Sequence, residues 1–259
     1  MINEIVDLTV EGSVGTPTLT TYIIAKSDAL EIKVRPLVLI CPGGGYEHVS
    51  EREGEMIALQ YVAAGFHAAV VKYSVAPARY PVALNEVDKA VKYLKSKAKE
   101  YGIAEDKIVI QGSSAGGHLA ASYAIFNGGM GGMILSYPVI TSGEFAHRGS
   151  FNCLLGDRYD ELVESMSLEK ADLSKVPPTF IWSTDEDATV PCENTLLFAE
   201  ALRKYHIPFE SHIYPVGRHG LGLGTLITSS QNSREVETYI SGWMDLSIAF
   251  INRIVGAFQ

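Results

Sequence analysis

The chain has 259 residues and a mass of 28.1 kDa, is 47% hydrophobic and 20% charged, and reads as a single α/β domain, residues 1–259, with a sizeable core. A net charge of −9 and a pI near 5.3 exclude a nucleic-acid partner, because the phosphate backbone would repel such a surface. No apolar run reaches the ~18 residues of a membrane span, and the opening MINEIVDLTVEG carries no basic and apolar leader. Cys41, Cys153 and Cys192 are widely spaced without a C-x-x-C pair, so the expectation is reduced core thiols in a cytoplasmic protein with no membrane partner.

Alternating β-formers predict a strand over 18–25, and RPLVLIC holds a short, wholly apolar strand at 37–41 that runs into the loop PGGGY. An uninterrupted apolar run suits a strand buried on both faces. Ser50 with Glu53 three residues on reads as a capping box opening a helix to about Ala64, stopped by Gly65. A strand at 66–73 follows, then a helix from Leu84 to about Tyr101 with Val87, Ala90, Val91 and Leu94 on one face. The pattern continues with a strand at 107–111, a helix to about Phe126 and a strand at 133–137. Residues 138–176 are irregular and read as a short cap or a long loop, with Phe151, Leu154 and Leu155 as walls for a short acyl group. A strand at 177–184, a helix at 192–206, a strand at 209–215 and a final helix over 234–255 close the chain. Strands alternating with helices predict a mostly parallel central sheet with helices on both faces.

One junction stands out: IVIQGSSAGGHLAAS places Ser114 between Gly112 and Gly116, where a strand hands over to a helix. A G-x-S-x-G match at such a join fits a nucleophile elbow, in which a strained turn exposes the serine hydroxyl. The hydroxyl needs a base, and the base an orienting acid. Asp187 follows one predicted strand end and His219, set in a glycine-flanked loop, follows the last. The order Ser114, Asp187, His219 is that of an α/β-hydrolase. Asp185 competes with Asp187 for the acid role, but the spacing to Val190 and Pro191 favours Asp187 and leaves Asp185 to solvent; Ser113 competes with Ser114, but only Ser114 has both flanking glycines. The glycines after the apolar strand let main-chain amides point inward, so Gly44, Gly45 and the amide of Ala115 are the expected oxyanion hole. Tyr46, His48 and Arg79 are candidate substrate contacts, whereas His118, in the helix after the elbow, reads as a core residue. No His or Cys stands near the Asp185–Asp187 run at ligand spacing, so no metal site is expected.

The PGGGY loop, the GSSAGGHLAAS elbow, DATVP at 187–191 and GRHGLGL together resemble the carbohydrate acetylesterase branch of the α/β-hydrolase superfamily, whose members include acetyl xylan esterases. SEREGEMIAL, KYSVAP and LLG at 154–156 extend the resemblance over about residues 18–255. Pro42 departs from it, standing where lipase-like relatives carry the histidine of an HGGG motif. The resemblance implies an α/β-hydrolase fold and removal of acetyl groups from sugar hydroxyls, such as those of acetylated xylo-oligosaccharides, without a cofactor. The expected partner is a small acylated sugar; a homo-oligomer is left open. An exopeptidase or arylformamidase on the same fold is the alternative, since a triad does not choose its leaving group, and a non-catalytic binding protein is the third reading.

Overall fold

Leu37, Leu39 and Cys41 of the apolar run point to one face of a sheet and Val38 and Ile40 to the other, and all five are fully buried. That is why the run shows no polar alternation. In the computed structural model, which describes residues 1–230 and 236–256, this strand lies mid-sheet. The strands are β1 (Ile5–Asp7), β2 (Thr18–Tyr22), β3 (Arg35–Cys41), β4 (His67–Lys72), β5 (Ile103–Ser113), β6 (Gly132–Ser136), β7 (Thr179–Thr184) and β8 (Phe209–Tyr214). They form one eight-stranded sheet in the order β1-β2-β4-β3-β5-β6-β7-β8, antiparallel at β1–β2 and β2–β4 and parallel from β4 to β8. The parallel α/β architecture expected from the alternating pattern is the one observed.

Helices α1 (Glu55–Ala63) and α8 (Trp243–Val255) cover the face of Val38 and Ile40. The opposite face carries α2 (Val82–Ser96), α3 (Ala98–Tyr101), α4 (Ala115–Phe126), α5 (Arg148–Leu155) and α7 (Glu193–Lys204), while α6 (Tyr159–Leu162) is a single turn in the segment after α5. Every residue of α4 from Ala115 to Ile125 is buried, so this helix has no polar stripe. Its small residues let it sit close to the sheet: a Cβ on Gly116 would lie 2.1 Å from the Cys41 carbonyl oxygen.

Several boundaries differ from expectation. The predicted strand 18–25 ends at Tyr22, with Ile23 adding only an isolated bridge to Ile2, and no sequence pattern marks the short edge strand β1. The predicted helix 84–101 breaks at Lys97 into α2 and α3, and Gly102, in the left-handed region at φ 73°, turns the chain into β5. That strand starts at Ile103, ahead of the apolar core of its sequence. The final helix begins at Trp243; of its predicted start, residues 234–235 lie outside the described residues, 236–237 are irregular and 238–242 form turns.

Residues 138–176 fold into α5, α6 and short 3-10 turns that pack Phe151, Leu155, Met166, Leu168 and Leu173 into the main core. Asn194 of α7 holds the start of this segment, its side-chain oxygen accepting from the Ile140 and Thr141 amides at 2.9 and 3.0 Å. The Arg79 guanidinium donates to the Cys153 carbonyl at 2.6 Å. Among the described residues no helix is long and apolar enough to cross a membrane.

Two buried histidines pin distant segments as neutral rings. His118 Nε2–H donates to the Met166 carbonyl at 3.1 Å while Nδ1 accepts from the Tyr46 hydroxyl at 3.0 Å. His67 Nδ1 accepts from the Ile24 amide at 3.1 Å and its Nε2–H donates to the Gly102 carbonyl at 3.2 Å. Burial pushes both pKa values down from 6.5 to about 4. With the folded pKa depressed for a basic group, the unfolded chain takes up protons first as pH falls. The stabilisation is therefore complete above pH 6.5 and is lost as pH falls towards 4. Each ring accounts for up to about 3 kcal/mol across that window. Urea unfolding at pH 7 and pH 4.5 should show a clear drop in midpoint; an unchanged midpoint would mean that the two rings protonate freely in the fold.

Candidate active site

At the end of β5 the backbone of Ser114 adopts φ 52° and ψ −123°, a conformation L-residues avoid, before α4 begins. The strain is held by close packing on both sides: a Cβ on Gly112 would lie 2.2 Å from the Gly116 carbonyl oxygen, so neither flanking glycine tolerates a side chain. The bend leaves the Ser114 Oγ facing His219, with Ser114 Oγ–H donating to Nε2 at 2.7 Å. On the far side of the ring, Nδ1–H donates to Asp187 Oδ2 at 2.6 Å. An ionised carboxylate can only accept, so the ring proton is fixed on Nδ1 and the Nε2 lone pair faces the serine. Asp187 is itself held, its Oδ1 accepting from the Thr189 and Val190 amides, both at 2.9 Å. The Asp187 side chain has no solvent exposure, whereas Asp185 is exposed and its carboxylate meets the Cys192 thiol at 3.9 Å. Ser113, the other serine of the elbow, is fully buried and accepts from the Gln111 side chain at 3.1 Å.

Gly44, Gly45 and Ser114 share one cavity of about 250 Å³ with His219. Among the described residues no group accepts from the amides of Gly44, Gly45 or Ala115. The two glycines sit at φ 121° and 66°, and a Cβ on Gly44 would lie 2.1 Å from the His48 carbonyl oxygen. His48 lines the cavity beside Glu47, Ser50 and Arg52. Tyr46 and Arg79, also read as substrate contacts, lie elsewhere. Tyr46 is buried behind the glycine loop against Tyr73 and His118, and Arg79 is spent on the Cys153 carbonyl. Phe151, Leu154 and Leu155 do not wall the cavity either; Phe151 packs edge-on against His118 within the core. Among the described residues no three His, Cys, Asp or Glu side chains cluster closely enough to hold a metal ion.

Residues 24–137 match the BD-FAE family model. The structure of an acetyl ester-xyloside bifunctional hydrolase from Caldicellulosiruptor lactoaceticus superposes with a TM-score of 0.85 at 33% identity, over 98% of this chain and 97% of that one. The chain belongs to the carbohydrate acetylesterase branch of the α/β-hydrolase superfamily. It is also 37% identical over 230 residues to endo-1,4-beta-xylanase B of Butyrivibrio fibrisolvens, covering 81% of this chain and 34% of that protein. To the acetylxylan esterase of Xylanibacter ruminicola it is 30% identical over 194 residues, covering 71% of this chain and 40% of the other. The chain thus spans well under half the length of these two curated relatives.

In this α/β-hydrolase the loops around Ser114 are tied together by residues that the sequence reading assigned otherwise or passed over. Glu53, expected at a helix cap, is turned inward and buried; Ser50 makes no side-chain cap bond, and the helix proper begins only at Glu55. Glu53 Oε2 accepts from the Gly43 amide at 2.8 Å and Oε1 from the Tyr137 hydroxyl at 2.7 Å. The same hydroxyl accepts from the Gly222 amide at 2.9 Å, so one buried chain of hydrogen bonds joins the glycine loop to the His219 loop. Tyr137 sits at φ 38° and sets its ring edge-on to His219, with centroids 5.1 Å apart. Burial and the neighbouring Glu53 carboxylate hold its phenol well above the usual pKa of 10, so it stays a donor. Arg52 adds a second tie, donating to the carbonyls of Gly220 at 2.9 Å and Thr228 at 3.1 Å. The sequence signal for Glu53 was present in SEREGE, but a local pattern cannot tell a solvent-facing cap from a carboxylate aimed inward.

Proposed function

We propose that this protein is a serine esterase that removes short acyl groups, acetyl above all, from the hydroxyls of xylo-oligosaccharides or related sugars. The observation that carries the reading is the unbroken relay from Ser114 through His219 to Asp187, opening into a cavity beside amides that have no internal acceptor. Ser114 Oγ attacks the acyl carbonyl as His219 Nε2 takes its proton, and Asp187 stabilises the imidazolium that forms. The developing oxyanion is held by the amides of Gly44, Gly45 and Ala115, each worth about 3 kcal/mol in the transition state. His219 then gives the proton to the departing sugar hydroxyl, and water attacking the acetyl-serine repeats the cycle.

The cavity supports a hydrophilic leaving group. Glu47, His48, Ser50, Arg52 and Thr189 line it, and among the described residues no Phe, Trp or Tyr ring does, so the lining is better matched to a sugar than to an aromatic group. The names of two relatives, an acetylxylan esterase and an acetyl ester-xyloside hydrolase, point to acetyl and to xylose.

The test is acyl length. A groove built for longer chains would gain roughly 0.8 kcal/mol for each buried methylene. Here no Leu, Ile, Val or Met side chain stands among the described lining residues to supply that gain, and a pocket closed beyond the methyl would instead cost about 1–3 kcal/mol in overpacking. Values of kcat/KM should therefore fall from acetyl to butyryl to hexanoyl esters, with acetylated xylo-oligosaccharides turned over. A steady rise with chain length would sink the deacetylase reading.

A further inference from the structure

We infer that His147 donates a hydrogen bond from Nε2 to a sugar oxygen of the bound ester, so that it selects the alcohol half of the substrate. This rests on the reading of the Ser114 cavity as a sugar esterase. His147 is the N-cap of α5, and its ring lines the same cavity as Ser114 and His219. The cap itself favours one tautomer. The Ser150 amide, shared with the His147 carbonyl at 3.1 Å, also donates to Nδ1 at 3.3 Å, and the Ser150 hydroxyl lies 2.8 Å from the same nitrogen, free to turn its proton towards it. A main-chain N–H can only donate, so a proton on Nδ1 would face the amide hydrogen, and the cap favours the tautomer with the ring N–H on Nε2. Among the described residues Nε2 has no partner. A half-buried donor without an acceptor is costly unless a ligand or water meets it.

Its electrostatic setting suits a donor that takes no part in proton transfer. Burial first, and then the nearby His219, hold the His147 pKa below 6.5, with Asp187 acting in the opposite sense. When His219 becomes an imidazolium, His147 stays neutral and does not draw the proton away. The position also separates its role from that of the oxyanion hole. His147 faces the Gly45 side of the cavity, where a Cβ on Gly45 would lie 4.0 Å from the ring. Three main-chain amides already serve the acyl oxygen there, which leaves the imidazole N–H for the alcohol.

Two substitutions divide the ring's two nitrogens. His147→Asn keeps an acceptor for the Ser150 amide, since asparagine is a favoured N-cap, but lacks the reach of Nε2. His147→Gln places an amide N–H near the position of Nε2 and gives up the cap. The asparagine variant should lose about tenfold more kcat/KM on acetylated xylobiose than on p-nitrophenyl acetate, chiefly through KM, with its melting temperature nearly preserved. The glutamine variant should melt lower, yet recover most of the sugar-ester activity. Parallel losses on both substrates in the asparagine variant, or no loss on either, would overturn the inference. So would a glutamine variant no better on the sugar ester than asparagine. A wild-type enzyme active on p-nitrophenyl acetate but on no sugar acetate would instead remove the sugar-esterase reading on which the inference stands.

Discussion

Replacing Ser114 by alanine should lower kcat on p-nitrophenyl acetate by roughly 10⁴- to 10⁶-fold, the loss seen when a nucleophile is removed and only binding and oxyanion stabilisation remain. The backbone should survive the change, because alanine meets the same constraint at φ 52° as serine and the glycines at 112 and 116 stay in place. Thermal melting of the variant should accordingly stay close to wild type. Ser113→Ala is the control. Its hydroxyl accepts from Gln111, also hydrogen-bonds Tyr137 and is not the group that His219 meets, so its loss should cost about 1–2 kcal/mol of stability and far less turnover than the loss of Ser114. A Ser114→Ala enzyme with near wild-type turnover would move the nucleophile elsewhere.

The second large effect is expected at Asp187. In Asp187→Asn, one oxygen can still accept from the Thr189 and Val190 amides, but the amide nitrogen then faces His219 Nδ1. Two donors cannot meet there, so the ring proton moves to Nε2 and the Ser114 hydroxyl loses its acceptor. In the reference serine protease, the equivalent change lowers kcat by about 10⁴, and a similar loss is expected here. If the side chain flipped to spare the histidine, two main-chain amides would lose their acceptor, at a cost of about 1–3 kcal/mol each, and the melting temperature would fall. Asp185→Asn should leave kcat within a few-fold, because that side chain is exposed and meets the Cys192 thiol rather than His219. Measuring kcat and melting temperature for both variants decides the assignment; equal losses, or a larger loss at Asp185, would transfer the acid role.

Much of the fold was legible in short stretches of sequence. The apolar run at 37–41 announced a strand buried on both faces, and the observed strand β3 has a core on each side. The glycine–serine–glycine junction marked a strand-to-helix bend because the steric demand is local: only glycine fits beside Ser114 on either side. Boundaries were less readable. The break at Lys97 and the early start of β5 at Ile103 are set by Gly102 turning the chain and by pairing of Arg35 with Ile103, which no local pattern carries. The capping signal at Ser50 and Glu53 misled for a related reason: the two residues have the spacing of a box, but the carboxylate finds better partners in the interior.

The sequence by itself determined the alternation of strands and helices, the strained bend at Ser114 and the chain order of Ser114, Asp187 and His219, since each depends on neighbours within a few residues. Only the tertiary structure decided which groups meet. It closed the contact from Asp187 through His219 to Ser114 and drew Tyr46 and Arg79 away from the cavity. It also brought Glu53, Tyr137 and Gly222 into one hydrogen-bonded chain across segments 53, 137 and 222. The physical reason is directional. Backbone propensity and hydrophobic period fix where a residue lies along an element, whereas the aim of a polar side chain depends on partners supplied by distant loops once the core has packed.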